Sequence, residues 1–233
     1  MLPKTYFFEA AVVLLSFLNL AGCSMPGVSP SSSTTSGGGS TSAALIVQSF
    51  PVQADGSFLF STNDSASKGN TYVQYTSVPT SGAFTYTVTV SKGSGQAGGG
   101  FGLIFQRQSD GSLGPNLWLA DIDSQGNYLI EKISNGAVYF VTGNSLTTWN
   151  SNTSALITGY GATNKLTVTF DGTKNYSFIA NGTTLQSFTD TQMGTVYTSG
   201  NLGLDVGVLS TENFPSQEVS VSFTVTSPTG LSW

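Results

Sequence analysis

The chain has no histidine at all, one cysteine (Cys23) in 233 residues, and charged side chains at only 8% of positions. Each scarcity removes a class of chemistry. Without histidine there is no His-based catalytic triad and no metal or haem site that depends on imidazole. A single cysteine can form neither an intramolecular disulfide nor a thiolate metal cage. The seven basic residues are scattered and include one arginine, Arg107. No patch is present that would neutralise phosphates, so nucleic acid is set aside as a partner. What remains is polarity without charge. Glycine, serine, threonine and asparagine accompany 39% hydrophobic residues, a composition that suits short strands and tight turns.

The cysteine sits at an informative place. Residues 1–22 read as an export signal: Lys4, then the apolar run Ala10–Leu18, then small residues. That run is too short to span a bilayer, which takes about 20 residues. Leu20-Ala21-Gly22-Cys23 resembles the lipobox of bacterial lipoproteins at all four positions. The resemblance implies cleavage before Cys23, a diacylglycerol on its sulfur and an acylated amine. Several acyl chains hold a protein on a membrane stably, where one does not. It also implies a place in the cell envelope, at the outer membrane of a Gram-negative cell, since Ser24 and not aspartate follows the cysteine. Residues 23–44, rich in Ser and Gly, lack hydrophobic periodicity and read as a tether reaching roughly 25 Å.

From residue 45 to 233 the pattern alternates with period two. Phe84, Tyr86, Val88 and Val90 interleave with Thr85, Thr87 and Thr89. Leu166–Phe170, Leu202–Val208 and Val219–Thr226 repeat the theme, each as a strand with one oily and one wet face. Asn135-Gly136, Asp171-Gly172 and Asn181-Gly182 mark hairpin turns of the type I′ kind. No window beyond the signal carries a helical stripe. About a dozen strands without an internal boundary predict one all-β domain that folds as a monomer, an antiparallel two-sheet sandwich with a closed barrel as the alternative. The Thr-x-Thr ladders lie on separate strands and read as ordinary solvated faces, not as an ice-binding surface.

The order of the segments GGGFGLIFQRQ, NLWLADIDSQGNYLIEKISNG, TNKLTVTFDGTKNYSFIANGTTLQSF and GNLGLDVGV resembles the concanavalin A-like lectin and glucanase superfamily. The resemblance covers residues 84–225 and implies a jelly roll. Such folds host lectins, hydrolases and spacers alike. Family 16 glucanases of that superfamily carry Glu-x-Asp-x-x-Glu on one strand. The run Asp121-Ile-Asp123-Ser-Gln-Gly126 has no glutamate there.

Candidate sites follow from residue type. On a strand, Asp121 and Asp123 would share a face about 7 Å apart, a spacing for an acid and base or for a calcium ion. Glu131 on the next strand is the third weak catalytic candidate. Trp118, Trp149, Tyr128, Tyr139 and Tyr160 could supply a stacking platform, but most aromatics of a sandwich fill its core, and Trp118, which shares a face with Ala120 and Ile122, reads as core. Trp149, in the polar stretch TTWNSNTS, and Tyr160 are the candidates for stacking on a ligand. Arg107 follows Phe101, Leu103 and Phe105 on an apolar face and needs a partner there, an aspartate of the adjacent strand or a ligand. The sequence therefore predicts a surface lipoprotein whose sandwich binds carbohydrate or a surface protein without catalysis. A glycoside-acting hydrolase and a passive envelope or adhesion protein are the alternatives.

Overall fold

The computed structural model describes residues 45–110, 114–135, 137–141, 149–191 and 194–233. The expected signal, lipobox, Cys23 and tether lie outside the described residues. Fifteen strands are present among those described: β1 Leu45–Val47, β2 Phe58–Thr62, β3 Thr71–Tyr75, β4 Thr80–Ser81, β5 Phe84–Ser94, β6 Phe101–Arg107, β7 Leu117–Ile122, β8 Asn127–Ser134, β9 Ala137–Phe140, β10 Asn150–Ser151, β11 Thr163–Phe170, β12 Asn175–Ala180, β13 Thr183–Thr189, β14 Ser199–Gly207 and β15 Val219–Ser227.

They form two sheets. One runs β1-β3-β14-β6-β7-β8-β10, with β4 on β14 and β9 on β8, nine strands in all. The other has six strands in the order β13-β12-β11-β5-β15-β2. This is the expected all-β jelly-roll sandwich. One pairing departs from the antiparallel rule: β1 lies parallel to β3 at the edge of the larger sheet.

The oily faces meet between the sheets. Tyr86, Val88, Leu166, Val168, Phe178 and Phe223 come from the smaller sheet, and Leu103, Phe105, Trp118, Ile130 and Leu204 from the larger. Burying each such side chain contributes roughly 1.5–3 kcal/mol. Trp118 is core, as its alternation predicts, with Phe105, Tyr176 and Phe188 ring centroids 5.8, 5.4 and 5.1 Å away.

Turn chemistry sets the registers. Asn181 and Gly182 both have positive φ (51° and 85°), and they join Ala180 to Thr183 as a two-residue hairpin. Asp171-Gly172 does not make such a turn. Phe170 pairs with Tyr176, and the loop between them is organised by Asp171, whose Oδ1 accepts from the N–H groups of Thr173, Lys174 and Asn175. An aspartate that caps several amides favours this longer loop.

The threonine ladders are not scattered. Thr87 faces Thr167 and Thr85 faces Thr169 across β5 and β11, while Thr89 faces Thr224 across β5 and β15. Adjacent strands in register merge the short ladders into one hydroxyl-rich face on the outside of the smaller sheet.

Candidate functional site

The outer face of the larger sheet carries the unusual chemistry. Pairing aligns Asp205 of β14 with Gly102 of β6, and Gly102 with Asp121 of β7. Directly opposed residues of neighbouring strands point to the same side. The two carboxyls therefore lean over the glycine between them. A Cβ on Gly102 would lie 2.6 Å from Asp121 Oδ1 and 2.2 Å from the Ala120 carbonyl oxygen, so no other residue fits there. One row along, Glu131 of β8 pairs with Leu119 of β7. Around these acids the same face holds Val73, Ile104, Leu117, Leu119 and Ile133 as a second apolar cluster.

Asp205 is 1% exposed and Glu131 4%, whereas Asp121 is partly exposed. Asp121 Oδ1, both oxygens of Asp205 and Glu131 Oε2 are buried without a hydrogen-bond donor. Burial disfavours a charged carboxylate, and a second acid nearby disfavours it further. Asp121 is accordingly held well above the usual range, by burial first and by Asp205 second. Burial also raises Asp205, against the opposing pull of its contact with Asp121. Glu131 is pushed up to about 8, by burial and then by the charge of Asp121. Asp121 and Asp205 thus act as one group that shares a proton.

Trp149, just ahead of β10, reaches this row. The Cβ position of Gly100 lies 2.8 Å from Trp149 Cη2 and 3.4 Å from Asp121 Oδ2, which puts indole edge and carboxyl side by side. Trp149 remains half-buried. Strand β10 holds it there by pairing Asn150 with Tyr128 of β8.

Other candidates are placed elsewhere. Asp123 does not pair with Asp121. It stands just past the end of β7, where its Oδ1 accepts from the N–H groups of Gln125 and Asn127 and its Oδ2 from Asn127 Nδ2. Its oxygens are thus engaged within the turn that follows β7. Among the described residues no group of three Asp, Glu, His or Cys side chains is placed to hold a metal ion.

Arg107 does not continue the face of Phe105. Gln106 has φ 51°, and a bulge between Asn201 and Gly203 shifts the register. The bulge turns Arg107 outward, where its guanidinium lies 4.7 Å from the Tyr75 ring centroid and pairs with Asp110 at 2.9 Å. The expected partner on an adjacent strand is replaced by one three residues away. Tyr160 is exposed, and its hydroxyl donates to the Gly95 carbonyl in the β5–β6 connection. Tyr128 belongs to the core. Asp205 escaped the sequence reading. Its one signal is a lone acid between Gly203 and Gly207 on the wet side of a strand.

No described protein family matches the sequence, and no curated protein is significantly similar to it. Similarity to solved structures exists at low identity. A carbohydrate-binding module from Bacillus subtilis is 17% identical over 64% of this chain and 74% of its own, with a TM-score of 0.46. A Bacillus licheniformis beta-glucanase is 10% identical over 79% and 82%, with a TM-score of 0.49. A Caenorhabditis elegans galectin is 13% identical over 66% and 95%, with a TM-score of 0.40. The fold assignment rests on the strand order described above.

Proposed function

We propose that the chain is a lipid-anchored envelope protein whose sandwich binds carbohydrate without catalysis, on the outer face of the larger sheet. The observation that carries the reading is the position of Trp149. A half-buried indole beside a partly exposed carboxyl offers an apolar plate and a hydrogen-bond acceptor at one point, the pairing a sugar ring needs. Cys23 supplies the anchor and residues 24–44 the spacer. Binding of the intact protein to a glycan array, with Trp149→Ala beside it, tests the reading. Retained glycans should be lost or weakened by roughly tenfold in the variant, since a stacked ring contributes on the order of 1 kcal/mol or more. An array on which the wild type retains nothing sinks the proposal.

A hydrolase reading has one observation in its favour: Asp121 and Glu131 share a face on neighbouring strands, and Glu131 is pushed up to about 8, fit to hold a proton at neutral pH. It is distinguished by product release from bacterial and plant polysaccharides that disappears in Asp121→Asn.

A further inference from the structure

The site described above has an unbalanced charge inventory. Three carboxyls share one apolar face, and four of their oxygens are buried with no donor from any other residue. Among the described residues the nearby cations are committed elsewhere. Arg107 pairs with Asp110, and Lys132 pairs with Asp190 at 2.6 Å. Lys92 donates to the carbonyls of Gln96 and Gly99. Buried acids without a compensating cation are held only by staying protonated. Next to them the edge of the Trp149 ring lies beside Asp121, the one member of the group that is partly exposed.

A neutral hydroxyl would satisfy one oxygen and leave the charge problem in place. A ligand ammonium satisfies both needs. It donates up to three hydrogen bonds and lets the carboxyl pair release its proton. We infer that the site formed by Trp149, Asp121 and Asp205, with Glu131 behind it, selects glycans carrying free amino groups, that is, unacetylated hexosamines. The inference rests on the carbohydrate-binding reading and names the substrate class within it. An N-acetyl group at the same position removes the positive charge and adds bulk where the amine would meet Asp121.

The test uses the intact protein and three probes of equal length: a glucosamine oligosaccharide, its fully N-acetylated counterpart and a neutral glucose oligosaccharide. Affinities are measured by calorimetry. The free-amine oligomer should bind at least about tenfold more tightly than the other two, the value of one charge-assisted hydrogen bond. That ratio should shrink toward one in Asp205→Asn, which keeps the shape but removes the charge. Glu131→Gln carries the same comparison if Asp205→Asn fails to fold. Equal affinities for the three probes, or a preference for the acetylated or neutral one, overturn the amine inference while the carbohydrate reading stands. A preference that survives both variants also overturns it, because the amine then binds elsewhere. Binding of none of the three, together with an empty glycan array, removes both.

Discussion

Asp121 and Asp205 meet over Gly102, two strands apart, because the residue between them has no side chain to keep them separate. In a regular sheet the intervening position would carry a side chain of its own. Here a glycine turns three adjacent strands into a cradle for two acids, with Glu131 in the next row. The arrangement ties the stability of the domain to its state of protonation.

Stability should therefore fall as pH rises. Asp121, Asp205 and Glu131 all hold their protons more tightly in the folded chain than a free carboxyl would. The folded state thus binds more protons than the unfolded one above the ordinary carboxylate range. The stability this confers is complete below that range and is lost progressively up to about 8, the value for Glu131. Lys92, pulled down to about 8 by burial, acts in the opposite sense, and only above that value. Urea midpoints should drop between about pH 5 and pH 8, and Asp205→Asn with Glu131→Gln should flatten the slope. A midpoint that rises across this interval in the wild type would contradict the account.

Gly102→Ala should destabilise the chain by roughly 1–3 kcal/mol, the usual penalty for overfilling a packed position. The added methyl would meet the Ala120 carbonyl oxygen, which is backbone and cannot swing away. Gly98→Ala, where nothing lies within 4 Å, is the matched control and should be nearly neutral. Denaturant titrations of the two variants make the comparison.

Lys132 and Asp190 form an ion pair with both side chains at 0% exposure. The ammonium also donates to the Thr195 carbonyl at 2.6 Å and lies 5.1 and 4.4 Å from the ring centroids of Trp118 and Tyr197. Lys132→Met should cost about 3–5 kcal/mol, because it strands a buried carboxylate. Adding Asp190→Leu should recover much of that loss. Thermal unfolding of single and double variants distinguishes this from simple loss of packing, in which case the second change would deepen the first.

Cys23→Ala should move the protein from the detergent-rich to the aqueous phase in phase partitioning, since Cys23 is the proposed site of acylation. Equal partitioning of both forms would remove the lipid anchor from the proposal.

The sequence is most legible where burial is one-sided. Strands β5, β11 and β15 keep one face in water, so Tyr86, Val88 and Val90 alternate cleanly with threonine. Strands β6, β7 and β8 are buried on both faces, and their runs FGLIF, LWLA and NYLIEKIS lose the period that tells inside from outside. The site lies on those strands. Residue chemistry alone singled out Asp121, Glu131 and Trp149, yet their assembly with Asp205 depends on a pairing of β14 with β6 that no local pattern encodes. Arg107 was misdirected by a bulge at Gln106, a residue type with no turn preference to announce it. Asp123 had a readable signal in hindsight: an acid followed three residues later by Gly126, with φ 87°, reads as the cap of a tight turn.

The parallel pairing of β1 with β3 has a mechanical meaning. Only three residues, Leu45–Val47, make that ladder, and they are half-buried or exposed. Tension on the chain ahead of Leu45 is borne first by this short edge ladder, not by the aromatic core. Under load β1 would peel away and lengthen the leash by about 10 Å, leaving the sandwich and its carboxyl row intact. On the proposed anchoring through Cys23, the edge strand would serve as a sacrificial link, a fuse ahead of the sandwich.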